Sequence, residues 1–347
     1  MKGGHIMHKK IVTFGELMMR LSPEGYYRFI QADRLCTTYG GAEANVAVLL
    51  AEFGCNSCFV TKLPEHEIGQ CAVNYLRRFG VDTSYVVRGG SRVGIYFLEK
   101  GISQRPSKVI YDRSRSSLAE AETSDFKWDK IFKNADWFHF TGITPALSDS
   151  AAEICLEACK YAKEKKITIS CDLNYRGKLW TKESAQEAMS RLCKYVDLCI
   201  ANEEDAENIF GIKSADTDVS TGKINREGYA DIAEQLTEKF GFSKIAFTLR
   251  TSVSASDNKW SALLYENNKC YYSKEYLIHI ADRVGGGDSF DAGLIYALLE
   301  KFSPQEAVEF AAAAGCFKHS IEGDFNIATL EEIKKLAGGD CTGRVQR

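Results

Sequence analysis

The chain has 347 residues, 45% of them hydrophobic and 26% charged, with a net charge of −3. That balance is ordinary for a soluble globular protein, with length enough for one large α/β domain or two small ones. It offers no basic surface for a nucleic acid or an anionic membrane, and no apolar run approaches the roughly 20 residues needed to span a bilayer.

Residues 1–8 read as a tag or disordered start, and residues 341–347 as a tail, around a single domain at 9–340. Residues 9–14 (KKIVTF) are a β-rich run that opens the central sheet. Residues 16–39 lack helical periodicity and read as strands and loops projecting from it. At 38–54 (TYGGAEANVAVLLAEFG) two glycines precede a helix that ends at Gly54. A strand at 58–61 and a helix from Gly69 to Phe79 follow. Residues 93–99 (VGIYFLE) and 107–113 (SKVIYDR) alternate apolar and polar side chains around a Gly/Pro/Ser turn, as half-exposed strands do.

From residue 136 onward short apolar strands alternate with helices: 137–142 before a helix at 148–165, 167–174 before one at 182–194, then 196–202 leading into 203–211. A helix at 228–240 leads into 244–249, and the polar stretch 214–227 reads as a surface insertion. Such alternation predicts a parallel sheet covered on both faces. Ligands of such folds bind beyond the carboxyl ends of the strands, here at 141–142, 172–176, 202–205 and 248–252. The segments 16–39 and 85–113 break the rhythm and read as a small β-sheet lid over those ends. A lid excludes water, and its exposed edges invite pairing with another copy, giving a homodimer or larger assembly.

The N-terminus lacks the apolar core of a secretory signal, and the twelve cysteines are scattered. Cys55 and Cys58 form a lone C-x-x-C with no second pair and no nearby histidine, short of a zinc set. Free thiols in a reducing, cytoplasmic setting are the simpler reading.

The densest stretch is 280–302, IADRVGGGDSFDAGLIYALLEKF. Gly285, Gly286 and Gly287 stand where a helix begins, and Phe290, Leu294, Ala297 and Leu298 recur at helical spacing. A helix start presents unpaired N–H groups, and glycines let an anion approach them closely. Asp288 beside an anion would only repel it unless it has another task, such as taking a proton from a hydroxyl. The simpler alternative is a glycine turn with Asp288 as an ordinary cap. It is not a dinucleotide fingerprint, since Phe290 stands where the third glycine belongs, nor a Walker loop, since no G-K-[ST] follows.

Residues 40–54 (GGAEANVAVLLAEFG) and 282–294 (DRVGGGDSFDAGL) resemble the N- and C-terminal signatures of the ribokinase-like (PfkB) carbohydrate kinases, the latter usually written D-T-x-G-A-G-D. The resemblance runs from Lys9 to Gly338. It implies a three-layer α/β/α fold with a β-sheet lid, and ATP with magnesium as cofactors. It further implies Asp288 as catalytic base and Gly285, Gly286 and Gly287 as anion hole. Gly40, Gly41 and Asn45 match sugar-binding positions; Asn174, Asn202, Thr248 and Arg250, with Gly285 and Gly287, fall at nucleotide-binding ones. Asp205 ends an N-x-x-E motif in which Glu is usual, so its help to magnesium would be direct or through water. Arg250 stands where T-L-G is common, and either touches phosphate or covers a loop. Where ribokinase has an aspartate gripping sugar hydroxyls, residues 15–20 (GELMMR) place Arg20.

Residues 96–113, 171–176 (CDLNYR) and 320–326 (SIEGDFN) are similar to those of 2-keto-3-deoxygluconate kinases within the family. That similarity implies substrate contacts from Tyr96, Tyr111, Arg113 and Arg176. A sugar acid needs a cation for its carboxylate, and arginine offers a charge-assisted fork. The bland alternatives are tyrosines that only pack, an Arg113 at a solvated edge and an Arg176 paired with Asp172. Other expectations compatible with the residues are a fructokinase or another sugar kinase of the fold, and a non-catalytic sugar or nucleotide sensor.

Overall fold

A computed structural model describes residues 9–202, 204–213 and 226–340. The start expected at 1–8, the tail expected at 341–347 and most of the polar stretch 214–227 lie outside the described residues; the helix after that stretch starts at Arg226.

Six parallel strands form the body of the main sheet, in the order Leu198–Asn202, Thr168–Asp172, Ala135–Thr141, Lys10–Phe14 and Asn56–Val60, with Lys244–Ser252 beside Leu198–Asn202. Beyond Lys244–Ser252 the sheet turns antiparallel, through Asp257–Glu266 to Lys269–Tyr272 and Tyr276–His279. The β–α rhythm predicted the parallel part; the antiparallel end was not read from the sequence.

Side chains on these strands alternate between two cores, as a two-residue period requires. Val12, Phe14, Phe138 and Phe140 face one side, packed with Ile154 and Leu192. Ile11 and Trp137 face the other, against Val46, Phe290 and Phe310. The helix Gly286–Leu299 lies in this second core, wrapped by Pro304–Lys318 and Ala42–Glu52. It is apolar on nearly every face, so its position is set by packing all round, not by one stripe.

The lid is a separate sheet in the order Cys36–Gly40, Met18–Ser22, Ile95–Glu99, Lys108–Asp112. It is smaller than the span 85–113 suggested. Val87–Arg88 pairs instead with Lys62–Leu63 in a two-stranded sheet of its own, so the second lid segment begins at Ile95. Among the described residues no helix is long and apolar enough to cross a membrane. Burial pushes the Cys55 and Cys58 thiols up to about 12.

Candidate active site

A cleft of about 400 Å³ lies between the lid and the carboxyl ends of the parallel strands. Its floor is the turn before the helix Gly286–Leu299. Gly285 has φ of 86°, in the left-handed region, and a Cβ there would stand 2.2 Å from the Asp324 carbonyl oxygen. A Cβ on Gly286 would meet the His319 ring at 2.5 Å, whereas one on Gly287 would meet nothing. Two glycines are thus required by what lies behind the turn. The third faces open cleft, where an anion can reach the helix N-terminus.

Asp288 opens to the cleft and accepts a 2.6 Å hydrogen bond from Asn45 Nδ2. Burial raises its pKa to about 7, with the charges of Glu43 and Asp324 adding to the rise and the Asn45 bond opposing it. A carboxylate that titrates near neutrality can both take a proton and release it. Asn45 is itself held by the Gly41 N–H, which donates to its Oδ1. Gly40 lies behind this contact, where a Cβ would stand 1.9 Å from Asp324 Oδ2.

Asp172 and Asp291 flank the base. Carboxylate oxygens of Asp172, Asp288 and Asp291 all lie within 4.8 Å of one another. Burial holds Asp172 and Asp291 well above the ordinary carboxylate range, helped by the charges of Asp205 and Asp288 on Asp172 and of Asp172 and Asp288 on Asp291. Neither oxygen of Asp291 has a hydrogen-bond partner. This all-oxygen set suits a hard cation such as magnesium. Asp205, the expected metal contact, does not line the cleft. Its oxygens accept the backbone N–H groups of Tyr175 and Asn202, both at 3.0 Å, so the carboxylate caps its own turn and ties it to the segment after Thr168–Asp172. The structure therefore moves the candidate cation ligands from Asp205 to the three clustered aspartates.

Every other expected residue except Gly40 borders the cleft: Gly41, Asn45, Tyr96, Tyr111, Arg113, Asn174, Arg176, Asn202, Thr248 and Arg250, besides the glycine turn. Their engagement differs. Arg113 is buried and forms an ion pair with Glu16, Nε donating to Oε2 at 2.7 Å. It is neither a solvated edge charge nor a free cation. The second oxygen of Glu16, also buried, has no partner. Tyr96 is buried, and its hydroxyl donates to Asp324 at 2.5–2.6 Å. Tyr111 stays exposed, its ring 6.0 Å from that of Tyr96. Arg176, exposed at the rim, donates to the Tyr175 carbonyl and has no carboxylate within 4 Å among the described residues. It is not paired with Asp172, although its charge opposes the rise in the Asp172 and Asp288 pKa values.

Arg20 is buried between Asp324 at 2.9 Å and Asp282 at 2.5 Å. Burial works against its charge, and the two carboxylates override it. The network ties a lid strand to the residues just before the glycine turn and to the 320–326 segment. Glu16, Asp291 and Arg283 also border the cleft and were not expected. Glu16 follows Gly15 at the end of the first strand, so the strand-end rule could have found it. Asp291, on the buried side of a helix, carried no such signal.

The sequence profile of the pfkB family carbohydrate kinases matches residues 8–326. The chain is 32% identical over 336 residues to a 2-dehydro-3-deoxygalactonokinase of Haloferax volcanii, across 96% of this chain and 99% of that protein. It is 27% identical over 335 residues to a 2-dehydro-3-deoxygluconokinase of Bacillus subtilis, across 95% and 96%. The crystal structure of a 2-dehydro-3-deoxygluconokinase of Thermotoga maritima superimposes with a TM-score of 0.93 at 53% identity, covering 97% of this chain and all of that one.

Proposed function

The chain belongs to the pfkB family of carbohydrate kinases, and from that premise we propose that it transfers the terminal phosphoryl group of ATP to 2-keto-3-deoxygluconate, giving the 6-phosphate. The observation that carries this reading is the one cleft in which a near-neutral carboxylate, an open glycine turn and an unpaired arginine meet.

Asp288 takes the proton of the attacking hydroxyl as its oxygen bonds the terminal phosphorus of ATP and the bond from that phosphorus to the bridging oxygen breaks, releasing ADP; Asp288 later returns the proton to solvent. The N–H groups of Gly286 and Gly287 meet the charge on the transferred group. Arg176 holds the sugar carboxylate, and Asn45 holds Asp288. Arg113 orients Glu16, whose free oxygen accepts from a sugar hydroxyl. Magnesium arriving with the nucleotide would be held at Asp172 and Asp291, the two members of the carboxylate cluster that do not serve as base, and would offset phosphate charge. Exposed Tyr27, Ile30 and Ile110 and the two open edges of the lid sheet support a homodimer formed through the lid.

The test is ADP release across a panel of 2-keto-3-deoxygluconate, its galactose-derived epimer, fructose and ribose. The sugar acids should lead in kcat/KM by roughly a hundredfold, the worth of one charge-assisted contact. A preference for fructose or ribose would sink the sugar-acid reading. No ADP release from any of them would leave a binding protein instead.

A further inference from the structure

Two further arginines border the cleft beside the glycine turn. Arg250 rises from the strand Lys244–Ser252, exposed and bordering the cleft. It makes no hydrogen bond and has no carboxylate within 4 Å among the described residues. Arg283, two residues before Gly285, is half-buried and donates one hydrogen bond, to the Ala255 carbonyl at 2.9 Å. Its neighbour Asp282 does not neutralise it, being engaged by Arg20 and by the N–H groups of Val284 and Gly323.

Burial, and then the nearby charge of Arg250, lowers the pKa of Arg283, with the charge of Asp282 opposing them. His319 donates from Nδ1 to the Gly315 carbonyl and is held neutral, and the buried Lys318 adds positive charge beside Gly285. Two like charges brought together, neither with an ion-pair partner of its own, are unfavourable unless a ligand of the opposite sign joins them. Guanidinium forks suit phosphate oxygens in particular. Both positions also depart from the signatures, which carry Thr and Gly there.

We propose that Arg250 and Arg283 clamp the part of the nucleotide that is not transferred, its α- and β-phosphates. The inference rests on the kinase reading above. The clamp meets the charge that grows on ADP as it leaves, and it makes the pair, not the base or sugar of the nucleotide, the main source of donor affinity.

Calorimetric binding of ADP, AMP and adenosine, without sugar and with and without magnesium, tests this on the full chain. In Arg250→Ala and Arg283→Ala, ADP affinity should fall by roughly ten- to a hundredfold each, the worth of one charge-assisted contact. AMP should lose less, and adenosine nothing. Arg283→Lys should restore part of the ADP affinity, a result that a misfolded loop would not give. Equal weakening of all three ligands would overturn the clamp, since the pair would then merely shape the loop. If the parent chain binds ADP and the double alanine variant binds it within twofold, the clamp falls alone. If the parent binds no ADP at all, the kinase reading falls with it.

Discussion

Four arginines border one cleft and a fifth, Arg20, is buried against Asp324 in its wall, and the five divide by position. The two that rise from the lid, Arg20 and Arg113, are buried and paired with carboxylates. The three from the strand-end side, Arg176, Arg250 and Arg283, border the cleft without a carboxylate partner among the described residues. A buried pair is weak evidence of net stabilisation, but removing one member strands the other at high cost. An unpaired cation can be removed with little effect on folding, and its charge is available to a ligand. The charges of the lid half therefore serve the fold, and those of the strand-end half stay available to an anion.

The largest effect should come at the base itself. Asp288→Asn keeps the shape and the contact with Asn45 but cannot accept the proton, so turnover should fall by roughly 10²–10⁴-fold while ADP binding survives. Near-normal turnover would remove the centre from the comparison. Next comes the paired set. Arg20→Ala removes the ion-pair partner of both Asp282 and Asp324 and should cost about 3–5 kcal/mol of stability in urea unfolding. Arg250→Ala, by contrast, should stay within about 0.5 kcal/mol. Similar losses for both would erase the distinction.

Arg176 and Arg113 sharpen it. Arg176→Ala should raise KM for the sugar acid by roughly ten- to a hundredfold, with little change for a neutral sugar. Arg113→Ala should also lower stability, because it strands Glu16. Adding Glu16→Gln should recover the stability without recovering affinity. If Arg113→Ala alone abolishes acid preference and Arg176→Ala does not, the lid holds the carboxylate after all.

The smallest expected effects follow pH. Asp288 must be ionised to act, and its pKa is about 7, so kcat/KM should fall about tenfold per unit below that value. The same shift has a sign for stability. The folded pKa lies above the roughly 3.9 of an unfolded aspartate, so the folded state binds more protons between the two. Stability is therefore lost as pH rises through that window and levels off above 7. Asp288→Asn should unfold on the order of 2 kcal/mol later than the parent at pH 8, allowing for solvent at its open edge, and no later near pH 4. A flat difference across pH would mean that Asp288 is not the group titrating.

Much of this was legible in the residues. The β–α alternation, the glycine turn before an apolar helix and the two alternating segments locate the sheet, the cleft floor and the lid, because each rests on local periodicity or on a backbone that only glycine permits. The antiparallel end of the sheet was not legible, since its strands carry no helix between them to mark a crossover. Nor was Val87–Arg88 leaving the lid for Lys62–Leu63, because two-residue strands carry no period.

The sequence by itself determined where the charged side chains are placed along the chain and that a carboxylate follows three glycines at a helix start. Only the tertiary structure decided which charges are free. Glu16 reaches Arg113 across 97 positions, and Arg20 reaches Asp282 and Asp324 across 262 and 304. No local pattern encodes such pairs, and none reveals that Asp205 caps a turn while Asp291 sits unpartnered beside the base. Whether an ionised side chain serves the fold or a ligand depends on the opposite charge that packing brings to it, and here packing joins segments from both ends of the chain.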